Sequence, residues 1–392
     1  MSLLHGRIAP RIVEEDESFR TRMLGIAAGI DDVIAMGRGD PDFHTPAHIA
    51  AAAKKAIDAN QHHYTGPHGL PALREAIADH LRADFGLDYA ADEIVVTAGV
   101  QESIMLCMLA LVSAGDEVLI TSPRFTTYDT AVRLCGGVPV PVPTREKDDF
   151  ALDPAEIEKR ITERTRAFVM VSPNNPTGAV TPPEVIRRIA DIARRHDIVL
   201  IADEIYAKLI YPGNDHLSLA SLPGMKERTI TLNGFSKTYA MTGWRVGYLA
   251  APADFVRKLT EPRHTLSINT CTISQHAALA ALTGPQEPIR AMYDAYAERR
   301  AYLMPALDDL GISYGKPGGA FYIYANVFST GMEAAEFCER LLRETGVMLF
   351  PGTLFGDKSP YYTRMSYLQP LPRIQEAMDR MGGFIRKLRV AA

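Results

Sequence analysis

Cysteine is scarce in this chain, with Cys107, Cys135, Cys271 and Cys338 the four among 392 residues. They lie far apart and form no CxxC pair, which argues against a structural zinc site and against a disulfide framework. Cys107 falls inside the apolar run Ile104–Leu109 and reads as a buried structural thiol. Also missing is any run of about 18 apolar residues, so no transmembrane helix is expected. Met1 to Arg20 mixes charges with short apolar stretches and lacks the unbroken apolar core of a signal peptide. On these grounds the protein reads as cytoplasmic. Positive charge is not in excess: 42 Lys and Arg stand against 47 Asp and Glu, for a formal net charge of -5. With no Lys/Arg-rich run, neither a nucleic acid nor an anionic membrane is expected as partner.

What is present is an ordinary globular composition, 47% hydrophobic and 23% charged. A chain of this length favours two domains, because a single core stops growing below it. Short β-rich runs recur at Glu93–Thr97, Glu117–Thr121, Val138–Val142, Ala167–Val171, Ile198–Ala202, Thr229–Leu232 and Val246–Ala250. Helix-length segments such as Gln101–Val112 and Pro183–His196 separate several of them. That alternation predicts an α/β domain around a mostly parallel, seven-stranded sheet. Runs apolar throughout, such as Ile198–Ala202, suit strands covered on both faces. Helices are also expected at Ala47–Ala59 and Leu73–Phe85. From about Gln286 the rhythm changes. A long helix over Ile289–Asp309, a β-like run at Ala320–Val327, and helices at Ala334–Thr345 and Ile374–Leu388 suggest a smaller α+β domain. The expected division is a large domain over 47–285 and a small one built from 1–46 plus 286–392.

The segment Asn233–Tyr248 is the most informative. Lys237 lies just beyond a β-rich run, beside the hydroxyl of Ser236, and Arg245 follows eight positions later. A lysine amine attacks an aldehyde once desolvation or a nearby cation lowers its pKa. A serine and an arginine are residues that hold a phosphate, the arginine through its two-pronged donor fork. Alone, Lys237 reads as a surface lysine on a loop. Two further stretches change the balance. Ser172-Pro173-Asn174-Asn175-Pro176-Thr177-Gly178 follows one β-rich run, and Asp203-Glu204-Ile205-Tyr206 follows another. Each puts polar side chains at the carboxyl end of a strand, where open α/β sheets bind ligands. A buried Asp facing a pyridine nitrogen keeps that nitrogen protonated and makes the ring an electron sink. Taken alone, Asn-Pro-Thr-Gly is a turn and Asp-Glu a helix cap.

Together these motifs resemble the class I/II aminotransferases of the fold-type-I pyridoxal-phosphate (PLP) enzymes, over about Gly39 to Arg364. The resemblance implies pyridoxal 5'-phosphate as cofactor and Lys237 as the lysine that binds its aldehyde and moves the substrate's α-proton. It implies that Asp203 pairs with the pyridine nitrogen, and that Asn175 and Tyr206 hold the ring's 3′-oxygen. Val100 and Gln101 would join Ser236 and Arg245 at the phosphate, on a helix amino terminus whose dipole favours an anion. Phe125 matches the aromatic residue stacked on the ring. Tyr64 matches the tyrosine that reaches the neighbouring subunit's phosphate, so a homodimer is implied. Gly39 and Arg364 match the groups that grip the substrate α-carboxylate, with Asn175 beside them.

The implied reaction is a ping-pong transfer from an L-amino acid to a 2-oxo acid such as 2-oxoglutarate. One acidic-substrate branch of the family has a lysine directly after the glycine of the phosphate loop; here Val100 stands there. That departure favours neutral, aromatic or broad specificity over aspartate alone, with Arg38 and Arg124 as candidate contacts to a second carboxylate. A PLP lyase, decarboxylase or oxidase would keep the same cofactor residues. A PLP sensor fused to a DNA-binding module would need more sequence before the PLP domain. A nicotinamide oxidoreductase would need a glycine fingerprint that Gly37-Arg38-Gly39 does not complete, since position 42 is Asp. The adjacent His62 and His63 are not expected to form a metal site.

Overall fold

The computed structural model describes residues 7–9, 11–12 and 17–391. Most of Met1–Arg20, the stretch read as lacking a signal peptide, lies outside the described residues. Among the described residues there are thirteen strands. They are β1 (Ile34–Ala35), β2 (Ile94–Thr97), β3 (Glu117–Ser122), β4 (Val138–Pro143), β5 (Thr165–Val171), β6 (Val199–Asp203) and β7 (Thr229–Gly234). They continue with β8 (Gly247–Ala250), β9 (Ser313–Tyr314), β10 (Tyr322–Asn326), β11 (Val347–Met348), β12 (Phe350–Pro351) and β13 (Tyr362–Ser366).

Seven of them build the central sheet in the order β2-β8-β7-β6-β5-β3-β4. Every adjacent pair is parallel except those that β8 makes with β2 and β7. The interior strands are buried along nearly their whole length, as expected where helices cover both faces. Edge strand β4 reads Val-Pro-Val-Pro-Val-Pro and is half exposed. Proline cannot donate to a ladder, so it is confined to edges with its nitrogen turned outward. Here Val138 and Thr144 donate inward to Asp116 and Ser122, which puts Pro139, Pro141 and Pro143 on the unpaired side.

A second sheet, β12-β13-β10-β9, is antiparallel, and β1 pairs in parallel with β11. The long helix Glu287–Asp309, the helix Ala334–Thr345 and the closing helix Leu371–Ala391 accompany these strands. One apolar core holds them together with Phe19 and Met23 of the helix Glu17–Ala27. The central sheet carries its own cores on both faces, one of them including the fully buried Cys107. The architecture is the fold-type-I α/β arrangement expected from the sequence. Among the described residues, six helices were not foreseen: Glu17–Ala27, Thr127–Leu134, Pro154–Glu158, Ala253–Lys258, Thr260–Ser267 and Thr272–Thr283. Three of the six begin with Thr, which competes for backbone hydrogen bonds and reads as a turn or cap.

Candidate active site

The parallel strands end together, and the residues just past their carboxyl ends line one cavity of about 490 Å³. Asp203 is the last residue of β6, Asn175 lies just past β5, and Phe125 follows β3. Val100 and Gln101 open the helix Val100–Leu111 after β2, while Ser236 and Lys237 follow β7. Arg364 comes from β13 of the second sheet, and Gly39 follows β1. Tyr206, Arg245 and Arg38 complete this part of the wall. Of the residues singled out from sequence, Tyr64 is not brought to the cavity. It stands on the surface, 78% exposed. Arg124 does not reach the cavity either. Its buried guanidinium grips Asp129 through Nε at 2.7 Å and Nη2 at 2.5 Å, beside a neighbouring cavity.

Lys237 donates from Nζ to the Gly39 carbonyl at 2.7 Å. Burial, then the charge of Arg364, pulls its amine down to about 8, against the opposing pull of Asp40 and Asp203. Asp203 is enclosed, and burial pushes its carboxyl up to about 6. Two donors hold the carboxylate against that push: Tyr128 Oη at 2.5 Å and the Ile205 amide at 3.1 Å. An enclosed carboxylate at the end of a cavity calls for a cation to face it.

Arg364 is nearly buried between two rings, with its guanidinium 4.3 Å from the Phe355 centroid and 4.7 Å from that of Tyr322. It donates from Nη1 to Asn175 Oδ1 at 3.0 Å and from Nη2 to the Gly37 carbonyl at 2.5 Å. Its Nε has no hydrogen-bond partner among the described residues. Tyr206 and Tyr322 share a hydrogen bond between their hydroxyls at 3.2 Å. Neither Tyr128 nor Tyr322 was singled out from sequence. Tyr128 lies in a stretch where no element was expected from sequence, and Tyr322 inside the β-like run Ala320–Val327.

Around the mouth, the backbone makes a cradle that side chains would fill. Gly99 has φ 78°, and a Cβ on it would meet Arg245 Nη2 at 2.6 Å. A Cβ on Gly247 would meet the backbone of Gly99 and Val100 at 2.9 Å. Arg245 itself takes a left-handed φ of 52° and donates from Nη1 to the Thr242 carbonyl at 2.9 Å. A helix amino terminus, an arginine and a hydroxyl around an open cradle suit a phosphate. A buried aspartate and a neutralisable lysine beside it suit a pyridine ring with an aldehyde. The residues present fit the group.

Residues 31–381 match the family described as aminotransferase class I and II. The chain belongs to that family. Like its members, this aminotransferase depends on pyridoxal 5'-phosphate. It is 42% identical to an aspartate aminotransferase of Pyrococcus abyssi, over 93% of this chain and 95% of that one. It is 41% identical to an aromatic-amino-acid aminotransferase of Thermococcus litoralis, over 92% and 93%. Among solved structures, the aminotransferase is similar to the aromatic aminotransferase of Pyrococcus horikoshii, with a TM-score of 0.89 and 40% identity. That match covers 93% of this chain and 100% of the other. A Thermus thermophilus aspartate aminotransferase with maleate gives a TM-score of 0.89 at 36% identity, over 98% and 99%. Among the described residues no cluster of metal-ligating side chains occurs, and His62 and His63 lie with their ring centroids 4.9 Å apart. No helix among them is long and apolar enough to cross a membrane.

Proposed function

We propose that this aminotransferase takes amino groups from neutral or aromatic L-amino acids, within a broad specificity, and passes them to 2-oxoglutarate or a similar 2-oxo acid by a ping-pong mechanism. The observation that carries the reading is the convergence of Lys237, Asp203 and Arg364 on one cavity. Pyridoxal phosphate, once bound, supplies the aldehyde and the electron sink. Asp203 would hold a proton at the pyridine nitrogen, and Asn175 and Tyr206 would hold the ring's 3′-oxygen. Phe125 would cover the ring face. The first-turn amides of Val100 and Gln101, the Ser236 hydroxyl and the Arg245 fork would hold the phosphate. Arg364 and the Gly39 backbone clamp the α-carboxylate, which fixes the Cα–H bond near Lys237. Lys237, with its amine lowered to about 8, would take that proton from Cα.

Two features support broad specificity. Val100 supplies no charge where a distal carboxylate would find a lysine in an aspartate-specific site. Arg20 and Arg38 nevertheless line the same cavity, and among the described residues neither forms an ion pair. They are placed to meet the second carboxylate of a dicarboxylic acceptor and to stay in water when the side chain is neutral. The relatives named for aspartate and for aromatic amino acids are consistent with either donor class. On the same reading, residues 47–285 form the cofactor domain, and 1–46 with 286–392 the smaller one. The enzyme works as a cytoplasmic homodimer.

The test is an absorbance scan of the purified holoenzyme as single amino acids are added without an oxo acid. Loss of the cofactor's visible band with one equivalent of 2-oxo acid per site is the expected result. Adding 2-oxoglutarate then restores the band. Release of ammonia, carbon dioxide or peroxide instead would point to a lyase, decarboxylase or oxidase.

A further inference from the structure

Tyr322 lines the active-site cavity, is 1% exposed, and has no task in the reaction proposed above. One face of its ring meets the Arg364 guanidinium. Its hydroxyl packs on Gly39, where a Cβ would collide with it. The ring of Tyr206 stands edge-on to that of Tyr322, with centroids 5.9 Å apart, and the two hydroxyls lie 3.2 Å from each other. Among the described residues Tyr206 is the one hydrogen-bond partner of the Tyr322 hydroxyl. The backbone that delivers Tyr322 is strained. Two residues earlier, Ala320 takes a left-handed φ of 56°, which is unfavourable for a residue with a side chain. The Ala320 amide donates to the Leu209 carbonyl at 2.8 Å, and its carbonyl accepts from Tyr211 Oη at 2.6 Å. The entry to β10 is thereby fixed to the segment that follows Tyr206. Strain that the surroundings hold in place in this way is found at functional positions.

A phenol has one proton to donate, and its oxygen can also accept. If Tyr206 gives its proton to the 3′-oxygen of the cofactor, the contact between the two hydroxyls needs Tyr322 as its donor. Arg364, the other polar group against the Tyr322 ring, only donates and cannot take that proton. We propose that Tyr322 is a positioning residue that turns the Tyr206 hydroxyl toward the cofactor's 3′-oxygen and strengthens its donation there. The inference rests on the aminotransferase reading of the site. Hydrogen bonds in a chain polarise one another, so a donor behind Tyr206 makes the Tyr206 O–H a better donor. A better donor at the 3′-oxygen stabilises negative charge on it. That oxygen then holds less firmly the proton it shares with the Lys237 nitrogen.

The experiment uses holoenzyme and follows the visible band of the bound cofactor against pH, which reports loss of that shared proton. Tyr322→Phe keeps the ring that faces Arg364 and removes only the hydroxyl. The expected result is loss of the shared proton at higher pH than in wild type. The shift is about 0.5 in pH, for a strengthening of roughly a quarter of one hydrogen bond to a charged group. Tyr206→Phe gives a larger shift of the same sign. Tyr206→Phe combined with Tyr322→Phe gives the shift of Tyr206→Phe alone, because Tyr322 acts through Tyr206. Tyr324→Phe removes another buried hydroxyl of the same strand, one that donates to Asp357, and leaves the titration in place. If Tyr322→Phe does not fold, 3-fluorotyrosine at position 322 keeps the contact with a more acidic donor and gives a shift of the opposite sign. An unmoved titration in a folded Tyr322 variant, an equal shift in Tyr324→Phe, or additive shifts in the double variant overturns the inference while leaving the aminotransferase reading intact. Wild-type protein that binds no cofactor overturns that reading itself.

Discussion

Burial and catalysis make opposite demands on Asp203. Enclosure favours its protonated form, and facing a ring nitrogen requires a carboxylate. Tyr128 tips the balance with a 2.5 Å hydrogen bond. In Tyr128→Phe the carboxyl, already pushed up to about 6, moves higher. The acid limb of the kcat–pH profile then moves to higher pH, and kcat near neutrality falls roughly tenfold, as for loss of one charge-assisted hydrogen bond. Steady-state rates across pH 5 to 9 check this, and an unmoved acid limb would count against it. Lys237 gives a second prediction. Its amine, lowered to about 8, is neutral over a pH range where a free lysine, titrating at about 10.4, is charged. Cofactor-free enzyme is expected to capture pyridoxal phosphate at a rate that rises through pH 8 and levels off above it. Lys237→Ala abolishes the capture; stopped-flow absorbance reads both. Lys237, Asp203 and Asn175 were legible in the sequence because each sits in a local motif at a strand end. Tyr128 and Tyr322 were not. Their roles depend on contacts to Asp203, 75 positions away, and to Tyr206, 116 away, which no local pattern encodes.

At the level of elements, the seven strands of the central sheet were legible almost residue by residue, because an apolar run bounded by turn residues has few other readings, whereas β1, β9, β11, β12 and β13 were not foreseen. Helices led by threonine were harder, and the short helix Thr127–Leu134 carries the consequence. It brings Asp129 to Arg124, and that pair seals the wall beside the active-site cavity. Both side chains are buried, so removing one partner strands a charge. Asp129→Ala is expected to lose about 3–5 kcal/mol of stability, read from urea unfolding. Arg124→Met with Asp129→Leu, which removes both charges, is expected to lose much less. The junction of β8 with the helix Val100–Leu111 makes another demand. Gly247→Ala forces a methyl onto the backbone of Gly99 and Val100 at 2.9 Å. The strand must part from the helix that carries the phosphate cradle. The expected outcome is weaker retention of pyridoxal phosphate on dialysis and a loss of about 1–3 kcal/mol for an overpacked site.

Taken as a whole, the chain brings every residue expected at the cofactor to its cavity except one. Tyr64 is left 78% exposed, an aromatic on a loop that the described residues leave uncovered. That loop is not loose. Thr65 Oγ1 accepts from Asn269 and Gln275 side chains at 3.1 Å, and the His63 carbonyl accepts from Thr272. Exposed Leu266 and Ile268 lie in the same chain segment as Asn269. A held aromatic with apolar neighbours is what a subunit contact presents, and a phenol there can reach a phosphate across the contact. If Tyr64 serves the partner's site, Tyr64→Ala and Lys237→Ala damage different sites in a mixed dimer. Each variant alone is expected to be impaired, Lys237→Ala completely. Co-expressed, they yield dimers in which one site carries both lesions and the other carries none. Activity then returns to about half the wild-type value per mixed dimer, since one of its two sites is intact. The check is the specific activity of heterodimers isolated with two affinity tags. No recovery beyond the Tyr64→Ala homodimer would place Tyr64 outside the partner's site.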